Sequence, residues 1–507
     1  MPRKRPKKVI LTVIDALNPV ALDSCFRQGL VPALQFLKER GQYYGSCVSV
    51  FPTMTPTATS SIATGTMPDQ HNVPGFVWFS RREKRFINYG TSFGAIWKIG
   101  LPNVVQDLLF NLNIRQLSRK VPTIYEMLED RGWSTASINF YIFRGRHIFQ
   151  TSIPFLMKML TRFRLIGNLK GPRMLVLGEI CRPADFFKDA KVSSLVGPFN
   201  KYGVNDEFSG QISSYLIKKG AQPDLMMVYL PDNDGYAHRH QPEKTEESLM
   251  RADRQLGRIL DSFASWEQAL KQNVFLVTGD HSQSLVNDDA GSVINLRRLL
   301  AEFKQAALGK LAINKDIAIC PNERMSYIYL LRWREHRLEY LRNRIIALLQ
   351  QERGIDQIIW KDKESGRYHI IRDSHYLWFK RGGDQVDEYG QSWTWQGELR
   401  TVDGRIEEDG RLGFRDYPDS FNRISGLLDC RHAGDIVCTA KLGYEFDGEG
   451  VPTHPGAGSH GSLHREDSCV PLLIAGTDRR LTRPRIIDFV PFILEHFGVA
   501  GPESYNK

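Results

Sequence analysis

No two of the seven cysteines are spaced as CxxC. Their odd number and scattered positions (Cys25, Cys47, Cys181, Cys320, Cys430, Cys438 and Cys469) suggest neither a zinc knuckle nor a disulfide framework. Buried or free thiols in a reducing cytoplasm are the expectation they leave. No apolar run reaches the roughly 18 residues of a membrane span, so no transmembrane helix is expected. The first apolar run, Val9–Ile14, stops at Asp15 and is too short for the apolar stretch of a signal peptide. The basic start Met1–Lys8 therefore reads as a solvated tail, with a lipid- or RNA-binding tail as the alternative. Internal repeats and low-complexity segments are also lacking. Acidic residues are the minority charge: 57 Asp+Glu against 67 Lys+Arg leave a net charge of +10. That suits anionic partners without naming one. With 42% hydrophobic and 24% charged residues, the composition is that of a globular protein, not of collagen, a coiled coil or a disordered chain. A length of 507 residues allows about three domains, or one large α/β domain with an insertion.

Apolar runs that end in acidic or small residues recur along the chain. Val9–Ile14 ends at Asp15, Leu225–Leu230 at Pro231-Asp232-Asn233-Asp234, Val274–Val277 at Thr278-Gly279-Asp280-His281, and Val470–Ala475 at Gly476. Such short, nearly continuous runs read as buried parallel strands. Helical periodicity lies between them, at Ala33–Arg40, Thr123–Arg131 and Glu246–Phe263. The alternation predicts an α/β fold with a mostly parallel central sheet and helices on both faces. Residues 286–440 read as an inserted α+β cap, with a basic helix around Trp333–Glu352 and strands around Gln357–Trp360, Tyr368–Arg372 and His375–Lys380. The expected core is then 1–285, with a further insertion at about 86–220, completed by 441–507. Within that insertion, Phe149–Gly167 has the pattern of an amphipathic lid or of an ordinary core-facing helix.

In open α/β sheets, ligands gather beyond the carboxyl ends of the strands. Asp15, Asp234 with His238, and Asp280 with His281 all sit at such ends. Carboxylates and imidazoles suit zinc or manganese. The three ends converge if their strands are neighbours. In Phe51–Gly65, Thr55 before Pro56 fits a helix start, with Thr55 as cap and backbone N–H groups available to an anion.

In this order, Asp15, Phe51-Pro-Thr-Met-Thr55 with Thr64-Gly65, Asp234-Gly-Tyr-Ala-His238, Thr278-Gly-Asp280-His281 and Gly458-Ser-His460-Gly461 resemble the alkaline phosphatase superfamily. The branch they match best is that of the type I phosphodiesterases and nucleotide pyrophosphatases. His71-Asn-Val-Pro-Gly75 and the aromatics Trp78-Phe79 are similar to that branch as well. The resemblance spans about 8–90, 222–285 and 440–495. It implies two divalent metal ions, zinc first and manganese next. One would be held by Asp15, Thr55, Asp280 and His281, the other by Asp234, His238 and His460. It also implies that Thr55 attacks phosphorus to form a phosphothreonine. Thr53, Thr57 and Thr59 compete with Thr55, and His454 and His464 compete with His460. His240 and Asp232 read as neighbours of the site, and Asp253 as structural. Cys320-Pro-Asn-Glu-Arg324 reads as a chance likeness to sulfatases, its proline one place early.

One position departs from the branch pattern as read here: Ala58 stands three residues after Thr55, where an asparagine would donate to the phosphate. Thr57, Thr59, a backbone N–H or a basic residue could replace it. The implied substrate is a small phosphodiester or pyrophosphate, with Phe76, Trp78 and Phe79 either lining a flat group or lying in the core. A phosphomonoesterase or phosphono-transfer enzyme on the same scaffold, and a non-enzymatic anion-binding protein, are the alternatives. An arginine clamp of the kind Arg144, Arg146 or Arg239 could form would point to monoesters. No RNA-recognition, zinc-finger or KH motif is present, so nucleic acid is not an expected partner. Peripheral membrane contact and oligomeric state stay open.

Overall fold

Two seven-stranded sheets carry the architecture of this computed structural model, which describes residues 5–152, 154, 158, 159, 161, 168–182, 196–289, 291–331 and 335–502. In chain order their strands are β1 (Lys8–Ile14), β2 (Gly41–Val48), β3 (Thr135–Ile138), β4 (Met174–Val176), β5 (Leu225–Leu230), β6 (Asn273–Thr278), β7 (Ile317–Asn322), β8 (Met325–Leu330), β9 (Ile355–Lys361), β10 (Tyr368–Arg372), β11 (His375–Val386), β12 (Ser392–Gly397), β13 (Ile436–Ala440) and β14 (Cys469–Ala475). The main sheet runs β2-β14-β6-β1-β5-β3-β4. β1 pairs in parallel with β6 and β5, and β3 with β5 and β4.

The continuous apolar runs follow from burial of both faces of this sheet. Val9, Leu11 and Val13 enter one hydrophobic cluster, while Ile10 and Ile14 enter the other. Leu225, Met227 and Tyr229 alternate in the same way with Met226, Val228 and Leu230. One cluster is closed by helices Pro19–Gln28, Pro32–Glu39, Asp206–Lys218 and Glu246–Leu260. Asp253 serves this packing, not the site. Its carboxylate accepts from Ala33 N and Leu34 N at 3.2 and 2.8 Å, at the start of the Pro32–Glu39 helix. The mostly parallel expectation holds, with one correction: β14 runs antiparallel to both β6 and β2. Burial on both faces produces the same apolar run in either direction, so the pattern carries no polarity.

Within 86–220, β3 and β4 belong to the main sheet and not to a separate body. The Phe149–Gly167 segment lies for most of its length outside the described residues. The second sheet runs β7-β8-β13-β9-β10-β11-β12 and is antiparallel throughout. One of its faces (Cys320, Tyr327, Ile359 and Val437 among others) joins the core of the main sheet. The other is covered by the helix Glu335–Leu349 through Leu341, Ile345 and Leu349. The seven cysteines are unpaired and buried.

His71 is a satisfied core histidine. Its Nδ1 accepts from Val73 N at 3.1 Å, so its Nε2 carries the proton toward Ser61 Oγ at 3.0 Å. Burial lowers its pKa from 6.5 to about 3. Protonation therefore favours the unfolded chain. The contribution of His71 is complete above pH 6.5 and declines as pH falls toward 3. Between pH 7 and 5, wild type should lose about 2 kcal/mol more than His71→Gln in denaturant unfolding. Equal losses in the two proteins would refute this assignment.

Candidate metal centre

β1 lies between β6 and β5, so the carboxyl ends of these three strands are adjacent. Asp15 follows β1. Asp280 and His281 follow β6. Asp234 lies in the helix Asp232–Ala237 that follows β5, with His238 as its last cap. The four-residue offset turns helically, as the spacing predicts, and brings His238 Nε2 to 3.3 Å from Asp234 Oδ1. At the end of β6 the Asp280 carboxylate accepts from His281 N at 3.0 Å and from Ala16 N at 3.3 Å. The remaining imidazole comes from far along the chain: the two-residue strand Gly458–Ser459 pairs with Ser284–Leu285 and delivers His460.

Thr55 opens the wholly buried helix Thr55–Thr64. It is the first helical residue and not the cap; Met54 occupies that position, without a side-chain cap bond. The N–H groups of Thr57 and Ala58 are both taken by Met54 O, and Pro56 has none. The expected cradle of free N–H groups is thus smaller than the sequence suggests. The Thr55 hydroxyl lies 3.1 Å from His281 Nε2. Its rivals are engaged elsewhere: Thr53 Oγ1 donates to Ser462 O and accepts from Gly461 N, and Thr59 Oγ1 donates to Thr55 O. Thr57 Oγ1 is buried without a partner among the described residues.

The three imidazoles are oriented alike. The Nδ1 of His281, His238 and His460 lies 3.1, 2.9 and 2.6 Å from the carbonyls of Ser282, Gly458 and Thr53. A carbonyl only accepts, so each Nδ1 carries the proton and each Nε2 presents its lone pair. His281 Nε2 faces Asp15 at 3.6 Å and Asp280 at 3.8 Å; His460 Nε2 faces Asp234 at 3.7 Å. The rings of His281 and His460 stack at 3.9 Å. The donors fall into three neighbouring groups, Asp15 with Asp280 and His281, Asp234 with His281 and His460, and His238 with Glu323 and His454, the atoms of each group lying within 4.8 Å of one another.

The electrostatics of the cluster fit divalent cations. Burial, then the charges of Asp280 and Asp234, push Asp15 well above the ordinary carboxylate range. Burial raises Asp280 as well. Burial also opposes ionisation of Asp234, but His238, His460 and His281 outweigh it and hold that carboxyl well below its usual value. Asp15 Oδ1 and Asp280 Oδ2 are buried with no hydrogen-bond partner among the described residues. Uncompensated buried charge of this kind is costly, by several kcal/mol per ion. Oxygen and imidazole donors facing one another at these distances match the ligand chemistry of zinc or manganese.

Other residues singled out from the sequence lie elsewhere. Asp232 accepts from Asp206 N and Lys201 Nζ. His240 stacks on Tyr236 at 4.0 Å, and His464 caps the helix Arg465–Ser468. Arg144 is held by Glu126 and the carbonyls of Leu117, Ser118 and Val121; Arg146 pairs with Asp130; Arg239 donates to Gly235 O. None of the three forms a clamp at the cluster. Trp78 and Phe79 are core: Trp78 packs on His432 at 4.5 Å and donates to Tyr89 Oη. Phe76 is partly exposed, edge-on to Tyr141 at 6.5 Å.

Glu323 adjoins the cluster without having been expected there. It forms the turn between β7 and β8, at φ 56°, and its carboxylate faces His238 at 3.7 Å and His460 at 3.4 Å. His454, the sequence rival of His460, stacks on His238 at 4.2 Å and is held by Glu445. The one signal for Glu323 was three large polar residues, Asn322, Glu323 and Arg324, between two apolar strands.

A family model described as Type I phosphodiesterase / nucleotide pyrophosphatase matches residues 9–463. No curated protein matches the chain. Among solved structures, the phosphonoacetate hydrolase of Sinorhizobium meliloti 1021 in complex with phosphonoformate is 17% identical. The match covers 98% of this chain and 96% of that one, at a TM-score of 0.55. Murine ectonucleotide pyrophosphatase / phosphodiesterase 5 is 10% identical over the same shares, at 0.57; its inactive form in complex with AMP gives 0.58. At these identities the likeness is one of fold, the alkaline phosphatase-like architecture.

Proposed function

The chain belongs to the type I phosphodiesterase / nucleotide pyrophosphatase family. On that premise we propose that it cleaves small phosphodiester or pyrophosphate substrates through a phosphothreonine on Thr55. The observation that carries this reading is the Thr55 hydroxyl, buried at a helix start 3.1 Å from His281 Nε2, the atom that also faces Asp15 and Asp280. Asp15, Thr55, Asp280 and His281 would hold one divalent ion; Asp234, His238 and His460 would hold another. When bound, such ions supply Lewis acidity that offsets phosphoryl charge and eases loss of a hydroxyl proton. Zinc suits this donor set first and manganese next.

The protein's own part is positioning. Thr55 Oγ1 attacks phosphorus in line, and the bond to the leaving oxygen breaks. Water then cleaves the Thr55 Oγ1–P bond and restores the threonine. The Nδ1–carbonyl contacts of His281, His238 and His460 fix ring orientation throughout. Phe76 and Tyr141 offer an aromatic edge for a flat leaving group. The unpaired, buried cysteines support a reducing compartment.

The test compares bis-p-nitrophenyl phosphate with p-nitrophenyl phosphate, on protein stripped by a chelator and then reloaded with zinc or manganese. Stripping should lower diester turnover by at least about 100-fold, and reloading should restore it. Monoester preference would transfer the reading to a phosphomonoesterase. No turnover with either metal would transfer it to an anion-binding protein.

A further inference from the structure

Asp234, His238 and His460, the proposed holders of one ion, are adjoined by Glu323, which faces both imidazoles and forms one donor group with His238 and His454. We infer that Glu323 is a fourth protein ligand of the metal held there, an inference that rests on the proposed two-metal reading and specifies one of its sites.

The separations support this. His238 Nε2 lies 3.3 Å from Asp234 and 3.7 Å from Glu323; His460 Nε2 lies 3.7 Å from Asp234 and 3.4 Å from Glu323. Two atoms bonded to one ion at about 2.0–2.1 Å lie no more than about 4.2 Å apart, and all four separations fall within that limit. Each imidazole thus stands between two carboxylates, His238 facing Glu323 Oε1 and His460 facing Glu323 Oε2.

The orientation of Glu323 is fixed from outside. Its Oε2 accepts from Ser459 Oγ and from His460 N, both at 3.2 Å. Its Oε1 is the atom that faces His238 Nε2. On the far side of His238, the stacked His454 is tied by Nδ1 to Glu445 Oε2 at 3.1 Å. The ring of His238 is therefore gripped between His454 and the carbonyl of Gly458.

Charge gives a second reason. The neighbouring group contains two carboxylates, Asp15 and Asp280. Counting Asp234 and Glu323 together gives the second group two as well, so each divalent ion meets two anionic ligands. Without Glu323 as a ligand, a largely buried anionic carboxylate would stand against two imidazoles with no cation of its own.

Glu323→Gln separates ligation from scaffolding. The amide oxygen of glutamine can still accept from Ser459 and His460 N, but it is a poor ligand for a divalent ion. Zinc stoichiometry and affinity are read by competition with a chromophoric chelator, and cobalt-substituted protein is read by its visible spectrum. Wild type should bind two equivalents. Glu323→Gln should weaken one of them at least about tenfold, leave the other unchanged, and alter the cobalt spectrum. Retention of both equivalents at wild-type affinity, with an unchanged spectrum, would overturn the inference. Should Glu323→Gln not fold, Glu323→Asp is read in the same way, since withdrawing the carboxylate by one methylene should also weaken that equivalent. The two readings fail separately. A protein that binds two metals through Glu323 yet hydrolyses no phosphoester loses the proposed activity alone. An active enzyme indifferent to Glu323→Gln loses this inference alone.

Discussion

Thr55→Ala should lower diester turnover by about 10⁴-fold or more at saturating metal and substrate, the scale expected when a nucleophile is removed from a site that otherwise stays assembled. The structure makes this a clean test of chemistry. The Thr55 side chain makes no helix-cap bond, so its loss leaves the start of the Thr55–Thr64 helix intact. Among the described residues, its one polar side-chain contact is to His281. Two neighbouring hydroxyls are engaged, Thr53 with Ser462 O and Gly461 N and Thr59 with Thr55 O, while Thr57 Oγ1 has no partner among the described residues. Thr55→Ser, which keeps the hydroxyl, should retain measurable turnover. Single-turnover reaction with a phosphorus-labelled diester should label wild type and not Thr55→Ala. Undiminished turnover by Thr55→Ala would remove the phosphothreonine route. Turnover transferred to a Thr57-dependent path would show as further loss in Thr55→Ala/Thr57→Ala.

The largest expected effect on stability is that of Arg324→Met. Arg324 and Asp467 are wholly buried and paired at 2.6 Å. The guanidinium also donates to the carbonyls of Tyr444 and Ala440 at 3.1 Å each, and contacts Ser284 Oγ. Asp467 accepts in addition from Ser284 Oγ and Ser462 N. Methionine fills much of the volume but strands the Asp467 carboxylate without its cation. Breaking one side of a buried pair costs about 3–5 kcal/mol. Guanidinium unfolding of metal-free protein should show this as a lowered midpoint. Replacing both partners, in Arg324→Met/Asp467→Leu, should recover part of the loss, because no charge is then left unpaired. A change below about 1 kcal/mol in the single variant would show that the pair contributes little.

Most of the main sheet could be read from the sequence because its strands are buried on both faces and so appear as unbroken apolar runs. Leu225–Leu230 is bounded as expected, and the others agree to within a residue or two. The candidate site was legible for the same reason: Asp15, Asp234 and Asp280 stand just beyond the carboxyl ends of these runs, and those ends are neighbours in the sheet. Three features were hidden. The direction of β14 leaves no trace in hydropathy. β3 and β4 are four and three residues long, too short to show a period. Glu323 lies in the turn of a hairpin from the second sheet, and only tertiary packing brings it to His238 and His460. It lies within Cys320-Pro-Asn-Glu-Arg324, a chance likeness to sulfatases, and hydropathy does not mark which residue of that string faces the cluster.

That hairpin tip also sets an order of maturation during synthesis. Asn322 clamps the strand that begins at Val77, accepting from Phe76 N and Val77 N and donating to Val77 O. Arg324 N donates to His460 O, and its guanidinium seals Asp467. Asp15, Thr55, Asp234 and Asp280 therefore leave the ribosome long before the groups that complete their surroundings. A nascent chain that ends short of His460 carries converging carboxylates without their full set of imidazoles. On the proposed two-metal reading, the donor cluster and the contacts of the hairpin tip are completed by the same late segment. Ribosome-arrested chains of increasing length should acquire protease resistance and zinc in one step, after His460 has emerged.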